Sequence, residues 1–162
     1  LGWGNTLTYK GFSLYFLIDG RFGGDVLSQT QADMDQKGVS VESAAARNAG
    51  FVDLEGTQVK PDKFYTAVSG RNGCTEYYMY SATNIRLREL SLGYTFPKRL
   101  LEKTKVFQDV QLSFVGRNLF FFHKSAPFDP DAVLSTGNDN QGIDVFGMPT
   151  TRSLGFNVKF TF

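Results

Sequence analysis

The sequence predicts an all-β protein whose antiparallel strands belong to a transmembrane β-barrel. Five stretches alternate between apolar and polar residues, as a strand with one apolar face does. The 162 residues include 16 Phe, 7 Tyr and 17 Gly, and this composition without helical periodicity favours β structure. Two long connections alternate with two short ones, as in bacterial outer-membrane barrels. A soluble β-sandwich shows the same strand pattern, so it stays open as an alternative.

The stretch 151–162 alternates most clearly. Its apolar positions are Leu154, Phe156, Val158, Phe160 and Phe162. Its small or polar positions are Ser153, Gly155, Asn157, Lys159 and Thr161. Successive side chains of a strand point to opposite faces, so these two sets predict one apolar face and one polar face.

Similar patterns predict four further strands. The five predicted strands are about 3–10, 12–22, 84–96, 109–122 and 151–162. Four of them reach the roughly 9–11 residues that a tilted strand needs to span a membrane. In the third strand, Leu87 is out of phase with Leu90, which predicts a bulge near Arg88 and Glu89, or the end of the apolar band.

The connections predict where the strand ends lie. Lys10 and Gly11 form a tight turn and 97–108 is short, whereas 23–83 and 123–150 are long. Antiparallel neighbours place both long connections at one end of the sheet.

Five strands cannot close a membrane barrel, since the smallest single-chain barrels have about eight, and open edges are prohibitive in lipid. We therefore expect a piece of a larger barrel, or a barrel of several chains, although an odd number of strands per chain makes the second arrangement awkward.

Several classes of protein are excluded by simple counts. The net charge of +1 argues against a nucleic-acid binder. Cys74 is the only cysteine, which excludes an internal disulfide framework. His123 is the only histidine, and one histidine argues against metal sites or catalytic triads built on histidine. No stretch approaches the roughly 18 apolar residues of a membrane helix. No nucleophile–base pair stands out, so we expect no enzyme, no cofactor and no metal. The sequence has neither an initiator Met nor a signal segment at its start, so we expect a mature chain or, in preference, a piece of a longer protein.

The first long connection, 23–83, is polar and reads as a loop. Ser40 can cap a short helix over 41–49, and Gly50 follows its end. A loop of this length is either functional or a flexible surface excursion, and the residues do not separate these two possibilities.

The second long connection is rich in oxygen ligands. Its acidic residues are Asp129, Asp131, Asp139 and Asp144. Such loops can bind calcium, but the spacing of known calcium loops is missing, so a solvated acidic loop is the better expectation. Phe128 and Phe146 could stack on a sugar, or anchor the loop, which we prefer.

Five segments together carry a family resemblance. They are FLIDGRFGG at 16–24, NIRLRELSLGYTFP at 84–97, VGRNLFF at 115–121, APFDPD at 126–131 and PTTRSLGFNVKFTF at 149–162. The last four segments resemble late-barrel parts of the SusC/RagA family of TonB-dependent outer-membrane transporters, and the first resembles an earlier strand of the same family with its loop entry. The resemblance covers most of the strand regions and the last long loop.

The resemblance implies a fold and a function. Proteins of this family have a plug and a 22-stranded barrel in the outer membrane of Gram-negative bacteria, and this chain would be about the last five strands. They import oligosaccharides, or peptides in some members, with energy from TonB and a SusD-like lipoprotein as a lid. The plug and the contact with TonB would belong to the missing part of the same protein.

The resemblance also implies roles for residues. The assembly signal and lipid face would be Phe156, Val158, Phe160 and Phe162, captured by the barrel-assembly machinery through strand pairing. The segments 23–83 and 123–150 would be extracellular. Candidate contacts with substrate or lid are Phe128, Asp129, Asp131, Asp139, Asp144 and Phe146. The alternative from another class is a soluble carbohydrate-binding β-sandwich that uses loop aromatics.

Overall fold

The computed structural model describes residues 1–69, 73–101, 106–135, 137 and 140–161. In chain order its elements are β1 (Gly2–Tyr9), β2 (Phe12–Arg21), β3 (Asp25–Ser28), α1 (Gln29–Gln36), α2 (Val41–Ala49), β4 (Val52–Leu54), β5 (Thr57–Val59), α3 (Pro61–Ser69), a 3₁₀ turn (Thr75–Tyr78), β6 (Met79–Ser81), β7 (Asn84–Thr95), α4 (Lys98–Leu101), β8 (Asp109–Lys124), β9 (Ile143–Asp144) and β10 (Ser153–Thr161). The fold is therefore mostly antiparallel β with some helices.

Five strands form one antiparallel sheet in the order β1-β2-β7-β8-β10. Each strand begins and ends within two residues of the bounds that the alternation predicts. The five strands lie side by side in the order in which they occur along the chain. The strands between them in sequence, β3 to β6 and β9, belong to two other sheets. The period of two in the sequence is thus the period of this sheet.

The two ends of the sheet differ as predicted. At one end Tyr9 pairs with Phe12 across a two-residue turn, in which Lys10 and Gly11 both have positive φ, at 46° and 87°. This is the turn geometry that suits the twist of a hairpin. At the opposite end Arg21 pairs with Asn84. Both long connections leave and re-enter the sheet at that second end.

The predicted bulge is confirmed. Leu17 of β2 pairs with Glu89 of β7, but Ile18 pairs with Leu87, so Arg88 is the extra residue. This extra residue restores the phase, and Leu87 and Leu90 lie on the same face of the sheet. Strand β8 has its own irregularity beside it, where Asn118 adopts a positive φ of 51°.

The chain divides into two units. The first, called the sheet unit, comprises Leu1–Phe22, Thr83–Pro127 and Thr150–Phe162. The second, called the inserted unit, comprises Gly23–Ala82 and Phe128–Pro149. The inserted unit contains a three-stranded sheet, β6-β3-β9, in which β3 and β9 run parallel, a β4–β5 hairpin, and helices α1 to α3. Among the described residues, no helix has the length and apolar character needed to cross a membrane.

The expectation that 23–83 is mainly a polar loop is wrong. Only the helix at Val41–Ala49 was predicted, and it is confirmed, with the Ser40 side chain accepting from the Ser43 N–H at 3.0 Å and Gly50 left-handed at φ 85°. The other described residues of the segment pack around side chains that are distant in sequence. Its core includes Val26, Ala32, Phe64, Tyr65 and Tyr78.

Candidate functional site

One face of the five-stranded sheet is apolar and exposed. The register places Leu92, Phe114 and Phe156 in one row across β7, β8 and β10. They are 51%, 50% and 80% exposed. A contiguous exposed apolar surface marks a site of contact with a membrane or another protein, because water disfavours it.

Aromatic pairs lie towards both ends of this face. Near the short turns, the rings of Phe12 and Tyr94 are 4.6 Å apart. Towards the opposite end, the rings of Phe120 and Phe122 are 4.9 Å apart. Aromatic side chains at both edges of an apolar band are typical of transmembrane strands, where they sit at the two membrane–water interfaces.

The other face is polar and carries ion pairs. Asp19 of β2 receives Arg88 Nη1 at 2.7 Å and Arg86 Nη2 at 3.4 Å, both from β7. Across the next strand boundary, Glu89 pairs with Arg117 Nε at 3.3 Å. Asp19 therefore pairs with charges of the neighbouring strand. Such cross-strand pairs stabilise a face that meets water or a polar lumen.

The candidate assembly residues lie on one face of β10. Phe156 pairs with Phe114 and Val158 with Leu112, while Phe160 pairs with Val110 and its ring lies 5.4 Å from that of Phe107. Lys159 pairs with Gln111 on the opposite face. Phe162 lies outside the described residues. The face assignment follows from the register, whereas the assembly role remains a prediction.

The candidate contact residues of the second long connection have different environments. Asp129 is 7% exposed, and its Oδ1 accepts from the Asp131 N–H at 3.1 Å. The Phe128 ring stands edge-on to Tyr80 at 5.6 Å. Asp131 is half-buried, and Asp139 lies outside the described residues. Asp129 therefore has a structural task, closing a turn of the backbone.

Asp144 and Phe146 lie beside the start of α1. Asp144 is 5% exposed and accepts from Ser28 Oγ at 3.1 Å, while Ser28 Oγ accepts from the Gln31 N–H at 3.2 Å as the helix cap. The Phe146 N–H donates to Thr30 Oγ1 at 2.6 Å, but its side chain leaves the residue 62% exposed. The expectation of a solvated acidic loop is thus wrong for Asp129 and Asp144, whose carboxylates are satisfied internally. Phe146 is the more accessible candidate.

The inserted unit has a cluster of tyrosines near one buried carboxylate. Asp35 is 2% exposed and accepts from the Ser40 hydroxyl. Burial raises the pKa of the Tyr78 phenol above its usual range, and the negative charge of Asp35 adds to the rise. Burial, with a smaller contribution from Asp35, also raises the pKa of Tyr77 and of Tyr80. These phenols stay neutral at physiological pH and act as packing groups.

A groove of about 480 Å³ lies among α1, α2 and α3. Lys37, Arg47 and Lys60 line it together with the carboxylates of Asp35 and Asp62. Arg47 Nη1 is held by the Gly38 carbonyl at 3.1 Å. The volume suits a small ligand, but charges of both signs give the groove no clear ligand preference. Among the described residues, no group of three or more His, Cys, Asp or Glu side chains is arranged as metal ligands.

A sheet with one exposed apolar face and one ion-paired polar face is typical of a membrane-embedded β protein. The chain is therefore classed as a segment of such a protein. Comparison with curated proteins agrees. The chain is 30% identical over 168 aligned positions to "TonB-dependent receptor P3" of Formosa agariphila, and 26% identical over 163 positions to "TonB-dependent receptor P39" of the same organism. The alignments cover 99% and 98% of the chain but only 16% of each relative. No protein-family model matches the chain.

Solved structures show the same fold. The structure of the RagAB peptide importer in the "open-open" state matches 99% of the chain with a TM-score of 0.72 and 17% identity, and the chain spans 17% of that protein. The "closed-closed" state matches with a TM-score of 0.70 and 19% identity. At such identities the match establishes the fold alone.

The chain is a segment of a TonB-dependent receptor, and its fold matches the corresponding part of a SusC/RagA-type importer. This confirms the resemblance carried by the five sequence segments. Receptors of this type reside in the Gram-negative outer membrane, as predicted. They are transport proteins, which agrees with the expectation that the chain is not an enzyme.

Sequence reasoning passed over two groups of residues that the structure brings together. One is the buried Asp35 with its tyrosines, which lie in a segment with little apolar periodicity. The other is a pair of arginines, Arg86 and Arg152, that line one cavity of the sheet unit. Arg86 was noted only as part of the NIRLRELSLGYTFP segment. The bulge beside it was the available signal, because bulges often redirect side chains at functional sites.

Proposed function

We propose that the chain supplies about the last five strands of the 22-stranded barrel of an importer of oligosaccharides or peptides. The observation that carries this proposal is the sheet itself, with one exposed apolar face, aromatic pairs at both ends and an ion-paired opposite face. The similarity to TonB-dependent receptors over nearly the whole chain supports it. The RagAB structures are titled as a peptide importer, which keeps peptides among the candidate substrates.

On this proposal the two faces have separate tasks. Phe156, Val158, Phe160 and Phe162 face lipid and form the assembly signal that the barrel-assembly machinery captures. The polar face, including the Asp19 ion pairs, lines the lumen. The rest of the same protein contributes the remaining strands, the plug and the contact with TonB.

The inserted unit is the extracellular part of this proposal. Segments 23–83 and 123–150 contact the SusD-like lipoprotein and the substrate outside the membrane. Phe128, Asp129, Asp131, Asp139, Asp144 and Phe146 remain the candidate contacts, with Phe146 the most exposed of those whose side chains are described. The carboxylates of Asp129 and Asp144 act indirectly, by fixing the shape of the segment.

A soluble carbohydrate-binding β-sandwich fits the structure less well. A sandwich buries the apolar face of one sheet against a second sheet. Here Phe114 and Phe156 are at least half exposed, and the other described strands belong to a separate unit.

Site-directed labelling tests the topology of the full-length receptor in its own outer membrane. The exposed Cys74 is first replaced by Ser, so that no native thiol of this segment reacts. Phe146→Cys then places a thiol in the inserted unit, and Arg99→Cys places one in α4, at the short-turn end of the sheet. We expect a membrane-impermeant maleimide to label Phe146→Cys in intact cells, and Arg99→Cys only after the outer membrane is opened. Labelling of both thiols in intact cells, or the reverse pattern, would contradict the proposal.

Uptake tests the transport activity itself. A strain lacking the receptor is complemented with the full-length gene and grown on mixed oligosaccharides or mixed peptides as the limiting nutrient. Restored growth on either mixture supports import and identifies the substrate class. Growth that is independent of the receptor on both mixtures would count against the proposed function.

A further inference from the structure

An aromatic row crosses the apolar face of the sheet unit near the short turns. Tyr9 pairs with Phe12, and Phe12 pairs with Tyr94, so the three residues lie side by side on β1, β2 and β7. Tyr94 lies two residues beyond Leu92 along β7, and alternate residues of a strand share a face. The aromatic row therefore follows the apolar row of Leu92 towards the short-turn end. Tyrosine suits the boundary between hydrocarbon and headgroups, because its ring is apolar and its hydroxyl is polar.

Lys10 places a positive charge at the outer edge of the aromatic row. It follows Tyr9 in the tight turn, and its Nζ lies 5.2 Å from the centroid of the Tyr9 ring. Both residues are exposed. This contact keeps the ammonium group beside the apolar face of the sheet rather than the polar face.

Helix α4 adds two cations and an exposed apolar side chain. Lys98 and Arg99 are exposed, and Leu100 beside them is 56% exposed. The helix begins three residues after β7 ends at Thr95, whose N–H donates to the Gly11 carbonyl at 2.8 Å. The tight turn and the start of α4 therefore lie at the same end of the sheet.

The short-turn end is positive overall. The connection 97–108 contains four basic residues and one acidic residue, and the tight turn adds Lys10. The ion pairs found among the described residues do not involve Lys10, Lys98 or Arg99. The three cations are therefore available to an external anion.

The order of the layers matches that of a phospholipid. From the centre of the sheet outwards, apolar side chains come first, aromatic side chains next, and cations last. Hydrocarbon chains, the interfacial region and the phosphate groups follow in the same order in one leaflet of a bilayer. Clusters of Lys and Arg beside a membrane-spanning segment favour headgroups with a net negative charge.

We infer that Lys10, Lys98 and Arg99 bind the headgroup phosphate of an anionic phospholipid at the short-turn end of the barrel, with Leu100 against its acyl chains. The inference rests on the proposed function in one respect, since it takes the apolar face as the lipid-facing side of the barrel. It adds a preference between lipids, which is independent of the substrate that the importer carries.

Local quenching by brominated lipids tests the inference on the full-length receptor in lipid vesicles. The receptor carries Leu100→Cys as its only reactive thiol, labelled with a fluorophore, because Leu100 is exposed beside the two cations of α4. The vesicles contain brominated phosphatidylglycerol, which is anionic, or brominated phosphatidylcholine with the same acyl chains, which has no net charge. We expect the anionic lipid to associate at this point at least about fivefold more strongly, which is the effect of one basic side chain near an anionic surface. Salt at about 1 M should bring the two lipids close together, because it screens the charges.

Two double variants with the same loss of charge provide the comparison. Lys98→Gln with Arg99→Gln should remove most of the preference for phosphatidylglycerol. Lys37→Gln with Lys63→Gln removes two exposed cations of the inserted unit and should leave the preference unchanged. Exchanging the two α4 residues, as Lys98→Arg with Arg99→Lys, keeps the charge and should also keep the preference.

The possible outcomes separate this inference from the proposed function. A preference that survives Lys98→Gln with Arg99→Gln overturns the inference and leaves the proposed import intact. Equal quenching by the two lipids at low salt has the same meaning. Quenching by neither lipid would place the short-turn end away from the membrane, which overturns the inference and the proposed topology together.

Discussion

Replacing Phe156 by Lys should disrupt the assembled receptor more than any other single change on β10. Phe156 lies in the central row of the apolar face and is 80% exposed in this segment. Phe160 is four residues further on, about 13 Å along the strand. A strand tilted by about 40° converts this to about 10 Å along the membrane normal, in an apolar band about 25 Å tall. If Phe156 lies near the midplane, Phe160 therefore lies near the interface.

The depth difference sets the expected magnitudes. A lysine at the midplane costs about 2–4 kcal/mol, and one near the interface costs about 0–1 kcal/mol. Phe156→Lys should therefore lower the urea midpoint of the full-length receptor in lipid vesicles strongly, and Phe160→Lys weakly. The fraction of receptor in the outer membrane with the mobility of a folded barrel on gels should fall in the same order.

Controls on the polar face complete this experiment. Asn157→Lys adds the same charge one residue from Phe156 but on the opposite face, where we expect a change within about 0.5 kcal/mol. Lys159→Phe should likewise be milder than Phe160→Lys if Lys159 faces the lumen. Equal effects of Phe156→Lys and Asn157→Lys would refute the assignment of the two faces.

Three further predictions concern stability. Ser40→Ala removes the cap of α2 and also the hydroxyl that donates to the buried Asp35 carboxylate, so it should cost about 1–3 kcal/mol, seen as faster hydrogen exchange in that helix, whereas Ser40→Thr keeps a hydroxyl and should restore protection. Gly11→Ala should lower the urea midpoint more than Gly23→Ala, because both glycines have positive φ but only at Gly11 would the new Cβ lie 2.8 Å from the Thr95 carbonyl oxygen. The Tyr78 phenol keeps its proton in the folded state above pH 10.0, where the unfolded chain releases it, so stability is retained below that pH and falls above it. The loss between pH 9 and pH 11 should be smaller in Tyr78→Phe, and an unchanged loss would show that other groups cause it.

Much of the sheet was predictable because its information is local. Alternate residues of a strand point to opposite faces of the sheet. A change of phase between Leu87 and Leu90 is therefore enough to indicate the bulge at Arg88. The α2 helix was predictable for the same reason, since Ser40 and Gly50 carry the signals of its two ends within a few residues. Neither inference needed knowledge of a distant part of the chain.

The inserted unit was not predictable because its stabilising contacts are distant in sequence. Helix α1 has the sequence QTQADMDQ, and its buried residues are Ala32 and Asp35, so it shows no apolar stripe. Asp129 and Asp144 look like solvent-exposed acids in the sequence. Asp144 is buried, and Ser28, 116 residues earlier, donates the hydrogen bond that compensates its carboxylate for the loss of water. No local pattern can report such a partner.

The parallel pairing of β3 with β9 has a consequence for the order in which the protein forms. Leu27 pairs with Ile143, and closing a loop of that length is entropically costly, so contacts of this kind are made late. The hairpin β1–β2 needs only neighbouring residues and can form early. The inserted unit is complete only when its last strand, β9, has paired with β3, and β9 lies just before β10 along the chain. A full-length receptor whose β9 cannot pair with β3 should therefore expose an unfinished, protease-sensitive inserted unit.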